Sequence, residues 1–281
     1  MLELLAGAVP LAIVASVPLL FAVEGELLVQ RSGMINLGIE GMLLSAAFGA
    51  SLGAGLTGSI AGGVAGGIAG SAIVAAIFGL FAIALCADQI VTGAALNLLA
   101  LGLTAFVYRE LQGRIDAPPA ISVDLLTPTA WLVVPALLAI LLWRTSSGLR
   151  IRAAGENPAA LLAARRSVAA HRWLALTVEA LLAGLAGAHL ALALSNGFAE
   201  NMSAGRGYIA LAVVIFGRWR VKGALVGTAV FGIAAALQYA LQAAGTAVPF
   251  HLLLATPYLV TLLILCGVAG RVRAPEALGK Y

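Results

Sequence analysis

Long runs of apolar residues determine what this chain can fold into. Nine such stretches, separated by short polar or glycine-containing segments, cover residues 4–23, 38–57, 59–86, 88–108, 129–143, 172–195, 208–217, 223–243 and 251–270. A helix needs about 20 apolar residues to cross the hydrocarbon core of a bilayer, and most of these stretches approach that length. The chain is 62% hydrophobic with a mean hydropathy of +1.06. The sequence therefore predicts an integral membrane protein.

The pattern inside these stretches indicates helices. The alternation of apolar and polar residues that is typical of an outer-membrane barrel is absent, and a helix satisfies its own backbone groups in lipid. We therefore expect an all-α fold, a polytopic transmembrane helical bundle that forms a single domain over residues 1–281. Eight to ten spans are expected and nine are favoured, although 129–143 and 208–217 are short for a full crossing.

Basic residues predict the orientation of the bundle. If all nine stretches cross and the N-terminus lies outside, 13 of the 16 lysines and arginines fall on the inner side, as the positive-inside rule requires. If 208–217 does not cross, only seven fall there. We therefore expect 208–217 to cross, as a short or steeply packed helix, and the C-terminus to be cytoplasmic. Residues 24–37, which contain Glu24 and Glu26, fit either a loop or a broken helix within the protein.

A polar segment at 144–172 interrupts the apolar pattern with six arginines, one histidine and a single acid. At its centre, Asn157 and Pro158 suit the N-cap and first turn of a short helix that continues through an alanine-rich run. Such a helix could dock into a soluble partner. Its basic surroundings are also typical of a loop against lipid headgroups.

Glycines at four-residue spacing mark a region of close helix packing. Gly62, Gly66 and Gly70 form one series, and Gly63 and Gly67 form another. Helices in lipid associate through small residues that allow their backbones to approach. We expect tight packing within one subunit, with a symmetric or pseudo-symmetric dimer face as the alternative.

Motifs for enzymatic chemistry are missing from the sequence. It contains no G-x-x-x-x-G-K-[ST], HExxH or CxxC pattern, and its three histidines are scattered. We therefore expect no catalytic residue, no metal site and no ATPase site in this chain. Transport would draw on an ion gradient or on a separate ATPase.

A gradient-driven mechanism would need ionisable residues at membrane depth, which are costly there and usually functional. The candidates are Glu40, Asp88, Glu179 and His189. Asp88 is more typical of an interfacial helix cap. Glu179 lies two turns after Arg172, which could help to solvate it. A proton site and a structural role both remain open for Glu179.

Several motifs together resemble the permease subunits of bacterial ABC importers in the branched-chain amino acid, simple sugar and nucleoside group. The resemblance is strongest to the nucleoside branch, which depends on a basic membrane lipoprotein. It spans nearly the whole chain in family order. The matching segments are 31–42 (RSGMINLGIEGM), 87–93 (ADQIVTG), 95–98 (ALNL), 155–158 (GENP), 182–187 (LAGLAG), 205–212 (GRGYIALA) and 216–219 (FGRW).

The resemblance implies the partners. A second permease, identical or homologous, would complete the translocation path. Cytoplasmic ABC ATPases would bind ATP and Mg²⁺, and an extracytoplasmic lipoprotein would deliver the substrate. It also implies a multi-pass protein of the bacterial inner membrane, in contact with lipid and not with nucleic acid. Nucleosides are the first choice of substrate, with simple sugars or branched-chain amino acids as alternatives.

The resemblance also implies roles for individual residues. The ATPase-coupling residues would be Gly155, Glu156, Asn157, Pro158, Ala160, Arg165 and Arg166, and the pathway residues would be Asn36, Glu40 and Asn97. Arg165 and Arg166 stand where this branch usually has a Gly-Ile pair, and Glu179 replaces a small residue. Two other functions remain open, a gradient-driven secondary transporter using Glu179 or Glu40 and a scaffold that transports nothing.

Overall fold

Helices make up most of the chain in the computed structural model, which describes residues 10–111, 118–119, 121, 123–243 and 273–280. No strand occurs among these residues, as the all-α prediction requires. The helices, in chain order, are α1 (Val17–Arg31), α2 (Ile39–Thr57), α3 (Ile60–Gly79), α4 (Gln89–Leu111), α5 (Val123–Pro128), α6 (Val134–Arg144), α7 (Ser146–Glu156), α8 (Pro158–Ala163), α9 (Val168–His189), α10 (Arg206–Phe216) and α11 (Val221–Ala243). Short π-helical turns at Leu80–Ala84, Thr129–Val133 and Leu190–Leu194 extend α3, join α5 to α6 and extend α9.

Among the described residues, five helical segments are long and apolar enough to cross a membrane. They are Ile39–Thr57, Ile60–Ala84, Gln89–Leu111, Leu126–Arg144 and Val168–Leu194, each close to a stretch predicted from the sequence. By contrast, α10 has 11 residues and is about 16 Å long, roughly half of the hydrocarbon core. The favoured count of nine spans is not confirmed, and the stretch 251–270 lies outside the described residues.

The chain is non-helical between α1 and α2, inside the protein. α1 continues through Glu24 and Glu26 to Arg31, and both glutamates are buried. Residues 32–38 are not helical, and α2 begins at Ile39. Of the two possibilities for residues 24–37, the structure therefore shows the broken helix. Irregular backbone at membrane depth is tolerated where protein surrounds it.

The spaced glycines bring α2, α3 and α9 into backbone contact. A methyl group on Gly66 would overlap the carbonyl oxygen of Gly49 on α2, and one on Gly70 would overlap that of Ser45. On the other face of α3, a Cβ atom at Gly67 would lie 2.8 Å from the carbonyl oxygen of Gly184. Both glycine series pack within this subunit, so the first of the two predicted roles is confirmed.

Arginines gather at one end of the bundle. The Nε atom of Arg31 donates to the carbonyl oxygen of Trp219 at 2.7 Å, and Ala277 N donates to the carbonyl oxygen of Gly155 at 2.8 Å. We call this the basic end, because Arg31, Arg152, Arg172, Arg220 and Lys280 all lie there.

The chain from Glu200 to Trp219 passes between the two ends. α4 starts near the basic end, where Gln89 Oε1 accepts from Ile35 N at 2.8 Å, and its 23 residues extend about 33 Å away from it. At its far end, Arg109 donates two hydrogen bonds of 2.7 Å to Glu200. These bonds lower the pKa of the Glu200 carboxyl below its ordinary value. Since Trp219 lies at the basic end, the segment from Glu200 to Trp219 joins the two ends, while α10 itself is too short to be one of the candidate spans.

Candidate functional site

The segment around Pro158 has the local structure that its sequence predicts. α7 ends at Glu156, and Asn157 Oδ1 accepts a hydrogen bond from Ala160 N at 3.0 Å. Pro158 occupies the first position of α8, where its missing N–H costs nothing. Arg165 has a φ of +54° and follows the end of the helix. Asn157 is therefore the N-cap of a short helix.

α8 presents an exposed face at the basic end of the bundle. Leu161 is buried, whereas Leu162 is 60% exposed on the other side of the helix. Ala160, Arg165 and Arg166 are also exposed. The face therefore combines an apolar side chain with positive charge, which suits contact with another protein.

The end of α7, just before α8, packs against the break between α1 and α2. Gly155 is buried, and a methyl group there would overlap the carbonyl oxygen of Arg31. Residues 273–280 bridge the two elements, since Ala277 N donates to Gly155 O at 2.8 Å and Gly279 N donates to Gly33 O at 3.0 Å. Displacement of this part of α7 would therefore press directly on the broken helix.

Asn36 lies in the break and joins two buried glutamates. Its Nδ2 atom donates to Glu179 Oε2 at 2.7 Å, and its backbone N donates to Glu26 Oε1 at 3.4 Å. Gly25 makes room for Glu179, whose Cγ atom would lie 2.9 Å from a Cβ at that position. The expectation that Arg172 solvates Glu179 is wrong, because the Arg172 guanidinium donates to the carbonyl oxygen of Lys280 at 2.8 Å.

Glu40 lies where the N-termini of two helices meet. It is in the first turn of α2, and its two carboxylate oxygens accept from Gly205 N at 2.8 Å and Gly207 N at 2.7 Å at the start of α10. The positive ends of both helix dipoles therefore stabilise its charge. Gly207 permits this approach, since a Cβ atom there would lie 2.6 Å from Glu40 N.

Asn97 joins α4 to the same region. Its Oδ1 atom accepts from Gly41 N at 2.8 Å, and its Nδ2 atom donates to Leu37 O at 2.8 Å and to Tyr208 Oη at 3.0 Å. One amide thereby connects the break, α2, α4 and α10. No local sequence pattern predicts that these partners converge.

A cavity of about 270 Å³ opens between these elements. Glu40, Asn97, Ser203 and Tyr208 contribute polar atoms to its lining, together with Asn201. Tyr208 is 47% exposed, whereas Ser203 is fully buried and its hydroxyl has no hydrogen-bond partner. Asn36 does not line this cavity. The structure thus brings two of the three predicted pathway residues to one cavity and places the third outside its lining.

Asp88 has a local role, which was the interpretation favoured for it. Its Oδ1 atom accepts hydrogen bonds of 2.9 Å from Ile90 N and Val91 N at the start of α4. The residue therefore caps a helix. Among the described residues, no group of three or more His, Cys, Asp or Glu side chains is arranged to hold a metal ion.

Comparison with known proteins identifies the family. Residues 7–268 match the family model described as "Branched-chain amino acid transport system / permease component". The chain belongs to this family. It is accordingly a permease subunit of an ABC transporter and a multi-pass membrane protein, which displaces the gradient-driven transporter and scaffold alternatives.

Curated relatives match almost the whole chain. The guanosine ABC transporter permease NupQ of Bacillus subtilis (strain 168) is 31% identical, over 99% of this chain and 96% of its own length. The nucleoside ABC transporter permease NupC of Lactococcus lactis subsp. cremoris (strain MG1363) is 33% identical, over 95% and 93%. TsgC13 of Haloferax volcanii, named for a glucose ABC transporter, is 33% identical, over 83% and 77%.

One solved structure also matches, described as an inward-facing conformation of an ABC transporter of the metal-chelate type. It is 18% identical, covers 91% of this chain and 84% of its own, and has a TM-score of 0.49.

Proposed function

We propose that this permease imports nucleosides in an ATP-driven complex. The observation that carries the proposal is its similarity to two permeases named for guanosine and for nucleosides, which extends over at least 95% of this chain. Simple sugars are the second candidate, because the glucose-named relative is equally similar in identity over a shorter length. The third candidate substrate, branched-chain amino acids, is supported by the family description alone.

In this proposal, substrate passes the cavity beside Glu40 and Asn97. Asn36 would support the path without lining this cavity, by holding the break against Glu179. A second permease, a copy or a homologue, would complete the path along the exposed apolar face of α4, which includes Leu98. An extracytoplasmic lipoprotein would deliver substrate at the opposite end of the bundle.

The basic end would face the cytoplasm, as the positive-inside rule favours. There, the exposed face of α8 would dock onto an ABC ATPase that binds ATP and Mg²⁺. Arg165 and Arg166 would meet acidic residues on that ATPase, since both are exposed and flank the end of α8. This chain would take part in ATP hydrolysis only through that contact.

Uptake in sealed vesicles tests the proposed function. The complex is reconstituted with its ATPase and lipoprotein, ion gradients are collapsed with ionophores, and radiolabelled guanosine, glucose and leucine are supplied in turn. We expect ATP-dependent accumulation of guanosine that exceeds that of the other two. Accumulation of glucose or leucine alone would contradict nucleoside import. Accumulation that needs a gradient and not ATP would contradict ATP-driven transport.

Replacing the turn before α8 tests the coupling assignment. The triple variant Glu156→Ala, Asn157→Ala, Pro158→Ala removes the N-cap, the proline that begins α8 and the ion pair of Glu156 with Arg31, so the helix should lose its docking geometry. We expect transport to be abolished while the protein still reaches the membrane. A control triple variant in α7, Ser146→Ala, Ser147→Ala, Arg150→Ala, should transport normally. Undiminished ATP-driven uptake by the first variant would overturn the assignment.

A further inference from the structure

We propose that the cavity beside Glu40 binds the hydroxyl groups of the sugar ring of the substrate, with Ser203 and Tyr208 as residues that determine this specificity. The inference rests on the proposed function and goes beyond it, because it names the part of the substrate that the membrane subunit recognises. The arrangement of hydrogen-bond donors and acceptors around the cavity carries it.

Ser203 provides the first observation. Its side chain is fully buried, it lines the cavity, and its hydroxyl has no hydrogen-bond partner. Buried hydroxyl groups are nearly always paired, because an unpaired one loses the hydrogen bonds it had in water. A ligand in the cavity would supply the missing partner. A hydroxyl can both donate and accept, so it suits another hydroxyl.

Tyr208 adds a donor of fixed direction. Its Oη atom accepts from the Asn97 amide at 3.0 Å, which leaves the phenolic hydrogen available. The orientation of that amide is set, because Asn97 Oδ1 accepts from Gly41 N and Nδ2 also donates to Leu37 O. With the amide fixed in this way, the Tyr208 hydroxyl can donate to a group in the cavity.

Glu40 adds an acceptor. Each of its carboxylate oxygens takes one backbone N–H, from Gly205 and Gly207, and an ionised carboxylate oxygen can accept more than one hydrogen bond. Its negative charge favours a neutral ligand that donates and disfavours a phosphate. One acceptor, one donor and one group that does both match adjacent hydroxyl groups on a neutral ring.

The size of the cavity agrees with part of a nucleoside. At about 270 Å³, it is slightly smaller than the ~300 Å³ at the lower end of pockets for drug-sized molecules. A pentose ring fits within this volume. Relatives named for guanosine, nucleosides and glucose would then share the recognised chemistry, since those molecules all carry a hydroxylated ring.

The test compares guanosine with 2′,3′-dideoxyguanosine, which lacks the two ring hydroxyls, in the reconstituted complex with the lipoprotein unchanged. The initial uptake rate of each variant is divided by that of the unaltered protein for the same compound, so that the selectivity of the lipoprotein cancels. We expect Ser203→Ala to lower guanosine uptake about five- to tenfold, the effect of one ordinary hydrogen bond. It should change dideoxyguanosine uptake less than about twofold. Tyr208→Phe should behave in the same way.

Thr228→Ala is the matched control, because Thr228 is also fully buried with an unpartnered hydroxyl but does not line this cavity. It should leave both rates unchanged. Equal losses for both compounds in Ser203→Ala, or no loss for either, would overturn the inference. Failure of the proposed function looks different, because the unaltered protein would then accumulate no guanosine.

Discussion

At the scale of single residues, the short non-helical break holds its shape through side chains that reach far along the chain. Asn36 bonds Glu179, 143 residues away, and Glu40 bonds Gly205, 165 residues away. Each bond satisfies a buried polar group that would otherwise be costly in the low-dielectric interior. The break is therefore held by α9 and α10 as well as by the helices on either side of it.

Removing the Asn36 amide should destabilise the protein. Asn36→Ala leaves Glu179 Oε2 without its donor, and an unpaired buried polar group costs about 1–3 kcal/mol. We expect a lower midpoint of thermal unfolding in detergent, measured by tryptophan fluorescence. Ser146→Ala, at an exposed position of α7, should leave the midpoint unchanged. An unchanged midpoint in Asn36→Ala would show that the amide does not stabilise the break.

At the scale of helices, glycine determines how closely α2, α3 and α9 pack. Gly49 and Gly66 meet backbone to backbone, and so do Gly53 and Gly62. Lipid offers helices no hydrophobic drive to associate, so dispersion contacts at short range supply the attraction. A side chain at these positions would separate the helices.

A matched pair of glycine substitutions tests this packing. Gly66→Ala places a methyl group against the Gly49 carbonyl, and overpacking of this kind costs roughly 1–3 kcal/mol. Gly102→Ala, on α4, meets no atom within 4 Å and should gain up to about 1 kcal/mol of helix propensity. We expect opposite shifts in the thermal unfolding midpoint. Equal shifts would mean that the contact between α2 and α3 does not depend on its glycines.

At the scale of the whole molecule, residues 273–280 connect the segment that would meet the ATPase to the break that adjoins the cavity. Ala277 and Gly279 bond the backbones of Gly155 and Gly33. Farther along the break, Asn36 donates a hydrogen bond to Glu179, and Leu37 O accepts one from Asn97. Continuous packing of this kind offers a physical route by which movement at α8 could change the cavity.

Breaking the C-terminal bridge should uncouple ATP hydrolysis from uptake. Ala277→Pro removes the N–H that bonds Gly155 O, whereas Ala277→Ser keeps it. In the reconstituted complex, we expect the proline variant to transport several-fold less guanosine per ATP hydrolysed, with the serine variant close to normal. If both variants keep the normal ratio, the bridge is not needed for coupling.

Much of the fold could be predicted because it depends on neighbouring residues. Five apolar stretches correspond to five long helices within a few residues at each end, since length and hydropathy are local properties. The cap at Asn157 was predicted from residue type, and the glycine packing was predicted from four-residue spacing. α1 was harder, because Glu24 and Glu26 interrupt the apolar pattern and only the surrounding helices make a buried glutamate tolerable.

The candidate site could be predicted only in part. Glu40 and Asn97 were identified from motifs, but Tyr208, the partner of Asn97, and the unpartnered Ser203 were not. These residues lie far apart in the chain, and no local pattern states which of several helices will pack together.

By itself, the sequence determined the helical class, most of the long spans, the short helix at Pro158 and the family, because each depends on residues within a turn or a span of one another. Only the tertiary structure decided that the chain breaks between α1 and α2, that Arg172 turns away from Glu179, and that Glu40, Asn97, Ser203 and Tyr208 share one cavity. The physical reason is distance along the chain. Asn97 and Tyr208 are 111 residues apart, and their contact exists only when the intervening helices have packed.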